Sequence, residues 1–122
     1  MTMQAMAERA TPEFELGAGA SLFRSLSDPT RLAILQHLLQ GEHRVRELTE
    51  HVGLAQSTVS AHLACLKDCG LVISRPQGRA SVFSLTVPAE LVGVLEAADR
   101  LLEATGYAVD LCPVYGSGRV PR

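Results

Sequence analysis

No stretch of the 122-residue chain comes near the roughly 18 consecutive apolar residues that span a bilayer, and its start lacks a basic-then-apolar export signal. Both absences lead to the expectation of a cytoplasmic protein with no membrane partner. Positive charge is scarce: 11 Lys and Arg stand against 13 Asp and Glu, a net charge of −2, which by itself argues against a nucleic-acid binder. The three cysteines are an odd number, poorly suited to a disulfide framework. There is no P-loop, nucleophile elbow or HExxH, and no His/Asp pair is placed to activate a thiolate. These absences argue against an enzyme, an organic cofactor or a small organic substrate. What is left is an ordinary globular composition, 47% hydrophobic and 20% charged, enough for one domain with a modest core.

The most informative stretch runs from Gln56 to Gly70, QSTVSAHLACLKDCG. Val59, Leu63, Leu66 and Gly70 recur at helical spacing, Ser57 or Thr58 can cap the start, and Gly70 is a natural stop. On this helix Cys65 and Cys69 lie about 40° apart, flanking the apolar stripe, with Thr58 and His62 on the same flank. Ser57, Ser60 and Ala61 point elsewhere and are small enough to let the backbone approach base edges in a DNA groove. A pair of cysteines spaced i, i+4 in a reducing compartment points to thiolate chemistry; the alternative is that each is a small buried hydrophobe.

Charge is unevenly distributed. From Arg44 to Arg79 there are five basic residues (Arg44, Arg46, Lys67, Arg75, Arg79) against three acidic ones (Glu47, Glu50, Asp68). So mild a basic bias needs two copies on one duplex to give useful affinity, so a DNA-binding reading carries a homodimer with it.

Taken in order, residues 1–17 are expected to be a flexible arm, with a helix convincing from about Ala18 to Leu26. Ser27-Asp28-Pro29 is a cap followed by proline at the first helical position, and Leu32, Leu35, Leu38 and Leu39 form the buried face of a helix that Gly41 ends. Val45 to Val52 makes a third helix, broken by Gly53, and the Gln56 to Cys69 helix follows at once. Two short helices joined by a glycine-bearing turn are a helix-turn-helix whose second member lies in the major groove. Beyond Gly70 the period changes to two: Leu71 to Arg75 and Ala80 to Leu85 read as strands of a wing, with Pro76 to Arg79 as the turn. Arg75 and Arg79 then flank its tip, placed for phosphate or the minor groove. Pro88 opens a last helix reaching about Thr105, whose stripe of Leu91, Val94, Leu95, Ala98, Leu101 and Leu102 is too broad for one monomer to cover and predicts dimerisation. The expected fold is mostly α with a small β-hairpin: a winged helix-turn-helix over residues 18–105, dimeric through its terminal helices, followed by a tail over 106–122.

Three segments carry a family resemblance. DPTRLAIL (Asp28 to Leu35), VGLAQSTVSAHLACLKDCGLV (Val52 to Val72) and GRASVFSL (Gly78 to Leu85) resemble the ArsR/SmtB family of winged-helix metal-sensing repressors. The resemblance implies a homodimer that sits on double-stranded operator DNA when metal-free and leaves it when metal binds. The family's Cys-x-Cys site at the start of the third helix is absent, since Arg44-Val45-Arg46 stands there, and its histidine-bearing site on the last helix is absent because residues 89–107 hold no histidine. The remaining resemblance is to the cadmium- and lead-responsive branch, which implies Cys65, Cys69 and the tail's Cys112 as ligands, with Cys112 donated by the other subunit. Three thiolates are a soft set suited to Cd(II) or Pb(II) as effector. A zinc ion would want a fourth ligand, for which His62, Asp110 or water could serve. The expected DNA-facing set is Gln56, Ser57, Thr58, Ser60, His62, Arg75 and Arg79. A thiol-redox-responsive repressor using the same cysteines is the alternative.

Overall fold

The computed structural model describes residues 11–112. Five α-helices and a three-stranded sheet follow in the order α1 (Pro12–Ser25), α2 (Pro29–Leu38), β1 (His43–Arg44), α3 (Val45–Val52), α4 (Gln56–Asp68), β2 (Val72–Gln77), β3 (Ala80–Leu85) and α5 (Pro88–Ala104).

Local chemistry sets most of these boundaries. Asp28 caps α2 by accepting from the amides of Thr30 and Arg31 at 2.8 and 3.1 Å, with Pro29 next in line. Glu47 reaches back to the amide of Arg44 at 2.8 Å and fixes the first turn of α3. Gly53 and Gly70 take left-handed φ values of 72° and 84°, ending α3 and α4. After Gly70, the amide of Leu71 returns to the carbonyl of Leu66 at 3.0 Å, so α4 stops sharply and the chain turns into the wing.

The core gathers Ile34, Leu35 and Leu38 of α2, Leu48 of α3, Val59, Leu63 and Leu66 of α4, Val72 of β2, Leu91 and Leu95 of α5, and Cys112. The helix-turn-helix is thus seated by the apolar faces its periodicity predicts. On α5, Leu91 and Leu95 point inward while Val94 and Leu101 stay exposed, the latter by 67%. Phe14 and Phe23 of α1 are each 66% exposed. The two terminal helices therefore keep the apolar surface that a second copy would cover.

Four expectations need correction. The first helix begins at Pro12 and not near Ala18, because Thr11 Oγ1 accepts from the Phe14 amide at 3.0 Å and acidic Glu13 and Glu15 suit the first turn; the stretch 12–17 expected to be arm is helical. Residues 1–10 of that arm, and the tail beyond residue 112, lie outside the described residues. Neither Ser57 nor Thr58 caps α4: the N-cap is Ala55, without a side-chain bond, and both hydroxyl residues lie inside the first turn. The wing is not a lone hairpin, since β1 joins it and the sheet order is β1-β3-β2, all antiparallel, with His43 opposite Phe83 and Arg44 opposite Val82. The wing turn is also shorter than expected: β2 runs on through Pro76 to Gln77, which pairs with Ala80. Proline is tolerated there because β2 is an edge strand.

Candidate nucleic-acid interface and thiol groove

The two faces of α4 have different surroundings. Outward, Gln56, Ser57, Thr58, Ser60 and Ala61 are all exposed. None of the five is bulky or negatively charged, so the helix presents a short polar surface of the kind that enters a major groove. Beside Gln56 lies a cleft of about 380 Å³ lined by Arg44, Val45 and Arg46 at the start of α3 and by Arg79, Ala80 and Ser81 at the wing turn. Three arginines thus line one cleft with the first residue of α4, a composition that suits the phosphodiester backbone next to a reading helix.

Arg44 and Arg46 line this cleft although the expected DNA-facing set omitted them. The alternating arginines of Arg44-Val45-Arg46 were a legible signal, since the helix start places both side chains beside the wing. Arg44 is braced across it, with Nε and Nη2 donating to Gln77 Oε1 at 3.1 and 2.9 Å. Of the expected wing pair, Arg79 lines the cleft, whereas Arg75 Nη2 lies 2.7 Å from Glu42 Oε2 with both side chains about half exposed. An ion pair that open to solvent is worth at most about 1 kcal/mol.

His62 has turned away from the outward face. Its Nδ1 lies 3.2 Å from Arg31 Nη1 and its Nε2 lies 3.7 Å from Asp28 Oδ2, leaving the side chain 19% exposed. Two backbone amides, chiefly that of Arg31, hold the Asp28 carboxyl below its ordinary range, with a smaller contribution from His62.

The inner flank of α4 carries the thiols. Cys65 and Cys69 are half-buried and free, and both open into a groove completed by Ser21, Arg24 and Ser25 of α1 and by Asp68. Cys65 Sγ lies 4.0 Å from Ser25 Oγ, and Cys69 Sγ donates to the Leu66 carbonyl at 3.3 Å. Cys112 is elsewhere, fully buried within the core of its own chain. Among the described residues no group of three Cys, His, Asp or Glu is placed to hold a metal ion. Two soft donors therefore share the α1–α4 groove, and the third cysteine of the expected set is not beside them. Asp110 is exposed in the tail, and His62 faces α2.

Residues 28–74 match the bacterial regulatory protein family arsR. Over 93 residues the chain is 41% identical to a probable mercury resistance operon repressor of Streptomyces lividans, a match covering 76% of this chain and 74% of that one. It is 42% identical over 95 residues to the HTH-type transcriptional regulator CmtR of Mycobacterium tuberculosis, covering 73% and 80% of the two chains. The NMR structure of CmtR, described as a cadmium metal-sensor, superposes with a TM-score of 0.54 at 39% identity over 65% of this chain and 85% of that one. The homodimeric winged helix-turn-helix DNA-binding domain Mb0332 of Mycobacterium bovis superposes with a TM-score of 0.66 at 32% identity, covering 75% and 88%. These relatives are regulators or DNA-binding domains, not enzymes.

Proposed function

The chain belongs to the arsR family of bacterial regulatory proteins, and from that premise we propose that it is a homodimeric repressor that a thiophilic metal ion releases from operator DNA. One observation carries the reading: the helix that exposes Gln56, Ser57, Thr58 and Ser60 also turns Cys65 and Cys69 into one groove against α1. Metal and DNA would act on the same rigid element, DNA at its exposed first turns and metal on the flank near its C-terminal end.

In the metal-free dimer two copies of α4 would enter successive major grooves about 34 Å apart. Gln56 and Ser60 would face base edges, and Arg44, Arg46, Arg79 and Arg75 the phosphates. Cys65 and Cys69 supply thiolate ligation, which favours Cd(II) or Pb(II) over ions that prefer nitrogen or oxygen, and Cys112 is the third ligand of the proposed set.

The groove also suggests how binding is transmitted. Arg31 holds the end of α1 through the carbonyls of Ser25 and Arg24, each at 2.8 Å, while touching His62 of α4. Ser25 in turn lies against Cys65. Drawing the two thiols together at the α1–α4 groove therefore acts on the contacts that set the pose of α4. A coupling of about 1 to 3 kcal/mol is the usual scale, and it weakens DNA and metal binding reciprocally.

The test is a Cd(II) titration of the reduced protein, followed by thiolate-to-metal charge transfer in the ultraviolet, beside operator-binding measurements. Saturation at one ion per chain, lost in Cys69→Ser and weakened in Cys112→Ser, with operator affinity falling at saturation, is the expected result. Unchanged operator affinity at saturating Cd(II) would sink the metal reading. Loss of DNA on peroxide treatment without metal, restored by reductant, would favour the redox alternative on the same cysteines.

A further inference from the structure

Cys112 is held in the core by its neighbour in the chain. The amide of Leu111 donates to Asp99 Oδ1 on α5 at 2.8 Å, and Gln36 Nε2 on α2 donates to the carbonyl of Leu111 at 2.9 Å. Both backbone groups of one tail residue are thereby bonded by side chains from two different helices. Asp99 is itself fully buried, and Leu111 packs against the core that encloses Cys112. Tail backbone has no ladder or helix to satisfy it, so these two bonds satisfy the backbone of half-buried Leu111 where it leads into buried Cys112.

We infer that Gln36 and Asp99 form a latch that stores the Cys112 thiol inside its own subunit until metal binding withdraws it. The inference rests on the proposed role of Cys112 as a ligand. A thiol at 0% exposure cannot meet an ion in the open α1–α4 groove, so the ligating state requires the Leu111 bonds to break and the tail to leave α2 and α5. Apparent metal affinity is then the intrinsic affinity scaled by the fraction of tails that are undocked. Gln36 and Asp99 are positioning residues: they set how readily the third ligand becomes available without touching the metal.

The experiment has two arms, the first without metal. In a Cys65→Ser/Cys69→Ser background Cys112 is the sole thiol, and its reaction with Ellman's reagent reports tail opening. Slow labelling is expected, accelerated roughly five- to tenfold by Gln36→Leu, which removes one bond with little change of volume. Leu111→Pro, which deletes the amide donated to Asp99 and leaves both helices intact, should accelerate it similarly. Labelling as fast as in the guanidinium-unfolded chain, or a protected thiol whose rate neither variant changes, overturns the latch. The second arm titrates Cd(II) into the three-cysteine protein, where Gln36→Leu should tighten binding by the same factor. If Cys112→Ser leaves Cd(II) binding untouched while the labelling arm behaves as expected, the ligand assignment and withdrawal by metal both fail, and only the holding of the tail by Gln36 and Asp99 stands.

Discussion

Arg31 of α2 and His62 of α4 meet at 3.2 Å, and through that contact the outward-facing helix is keyed to the junction between α1 and α2. The same guanidinium donates to the last carbonyls of α1, so one side chain serves as a C-terminal cap and an interhelical strut. Arg31→Ala should lower the unfolding free energy by about 1–3 kcal/mol, the cost of part-buried acceptors losing charge-assisted partners. In urea unfolding the midpoint should fall. Cd(II) should still bind while releasing less DNA; full release in the variant would show that coupling bypasses this strut.

The arginine cleft makes a salt-dependent prediction. Arg46→Ala and Arg79→Ala should each weaken binding to specific and random duplexes alike, and each should reduce the slope of log affinity against log salt by about 1.8, roughly 0.9 for each of the two copies in the dimer. Gln56→Ala should instead relax sequence discrimination, by about 1–3 kcal/mol if its amide reads a base. Equal losses for Gln56→Ala on both kinds of DNA would refute that division of labour.

Dimerisation should be breakable from either terminal helix. Leu101→Glu on α5 and Phe23→Glu on α1 place a charge on surface that is now 67% and 66% exposed, so the folded monomer tolerates them. Sedimentation should shift toward the monomer, and operator affinity should drop with it because two reading helices are needed. A variant that remains dimeric would move the interface elsewhere.

Stability should depend on pH through a histidine cluster that no local pattern along the chain groups together. His37 stacks on His51 with ring centroids 4.2 Å apart, and His43 stands 5.6 Å from His51. Desolvation first, then the neighbouring His51 and His43, pushes His37 below its ordinary value of 6.5. The unfolded chain therefore takes up its proton at higher pH than the folded one, and stability falls as pH drops below about 6.5. Asp28 and Glu47 are held below their ordinary range by backbone amides, chiefly those of Arg31 and Arg44, and add a further loss at lower pH still. His37→Gln should flatten the first phase of the Tm-against-pH curve and leave the second; an unaltered curve would remove His37 from the account.

Several helix ends were legible from short-range signals, although the Thr11 cap of α1 and the Ala55 cap of α4 were not. Pro29 after Asp28, Gly53 after Val52 and Gly70 after Cys69 mark ends that depend only on residues within a turn, and the structure places α3 over the predicted Val45–Val52. The spacing of Val59, Leu63 and Leu66 also determined which face of α4 is buried, because a 3.6-residue period admits one core-facing side. The strand at His43–Arg44 was not legible, since two residues carry no period and exist as a strand only by pairing with β3.

By itself, then, the sequence determined the winged helix-turn-helix, the polar outer face of α4 and the placing of Cys65 and Cys69 on its other flank. Tertiary structure decided what those residues meet. It turned His62 onto Arg31 and Asp28, drew Arg44 and Arg46 to the wing, faced the thiols toward Arg24 and Ser25, and buried Cys112 behind Leu111. The first set follows from dihedral preference and periodicity along the chain. The second depends on contacts between residues as far apart as Gln36 and Leu111, which no local pattern encodes.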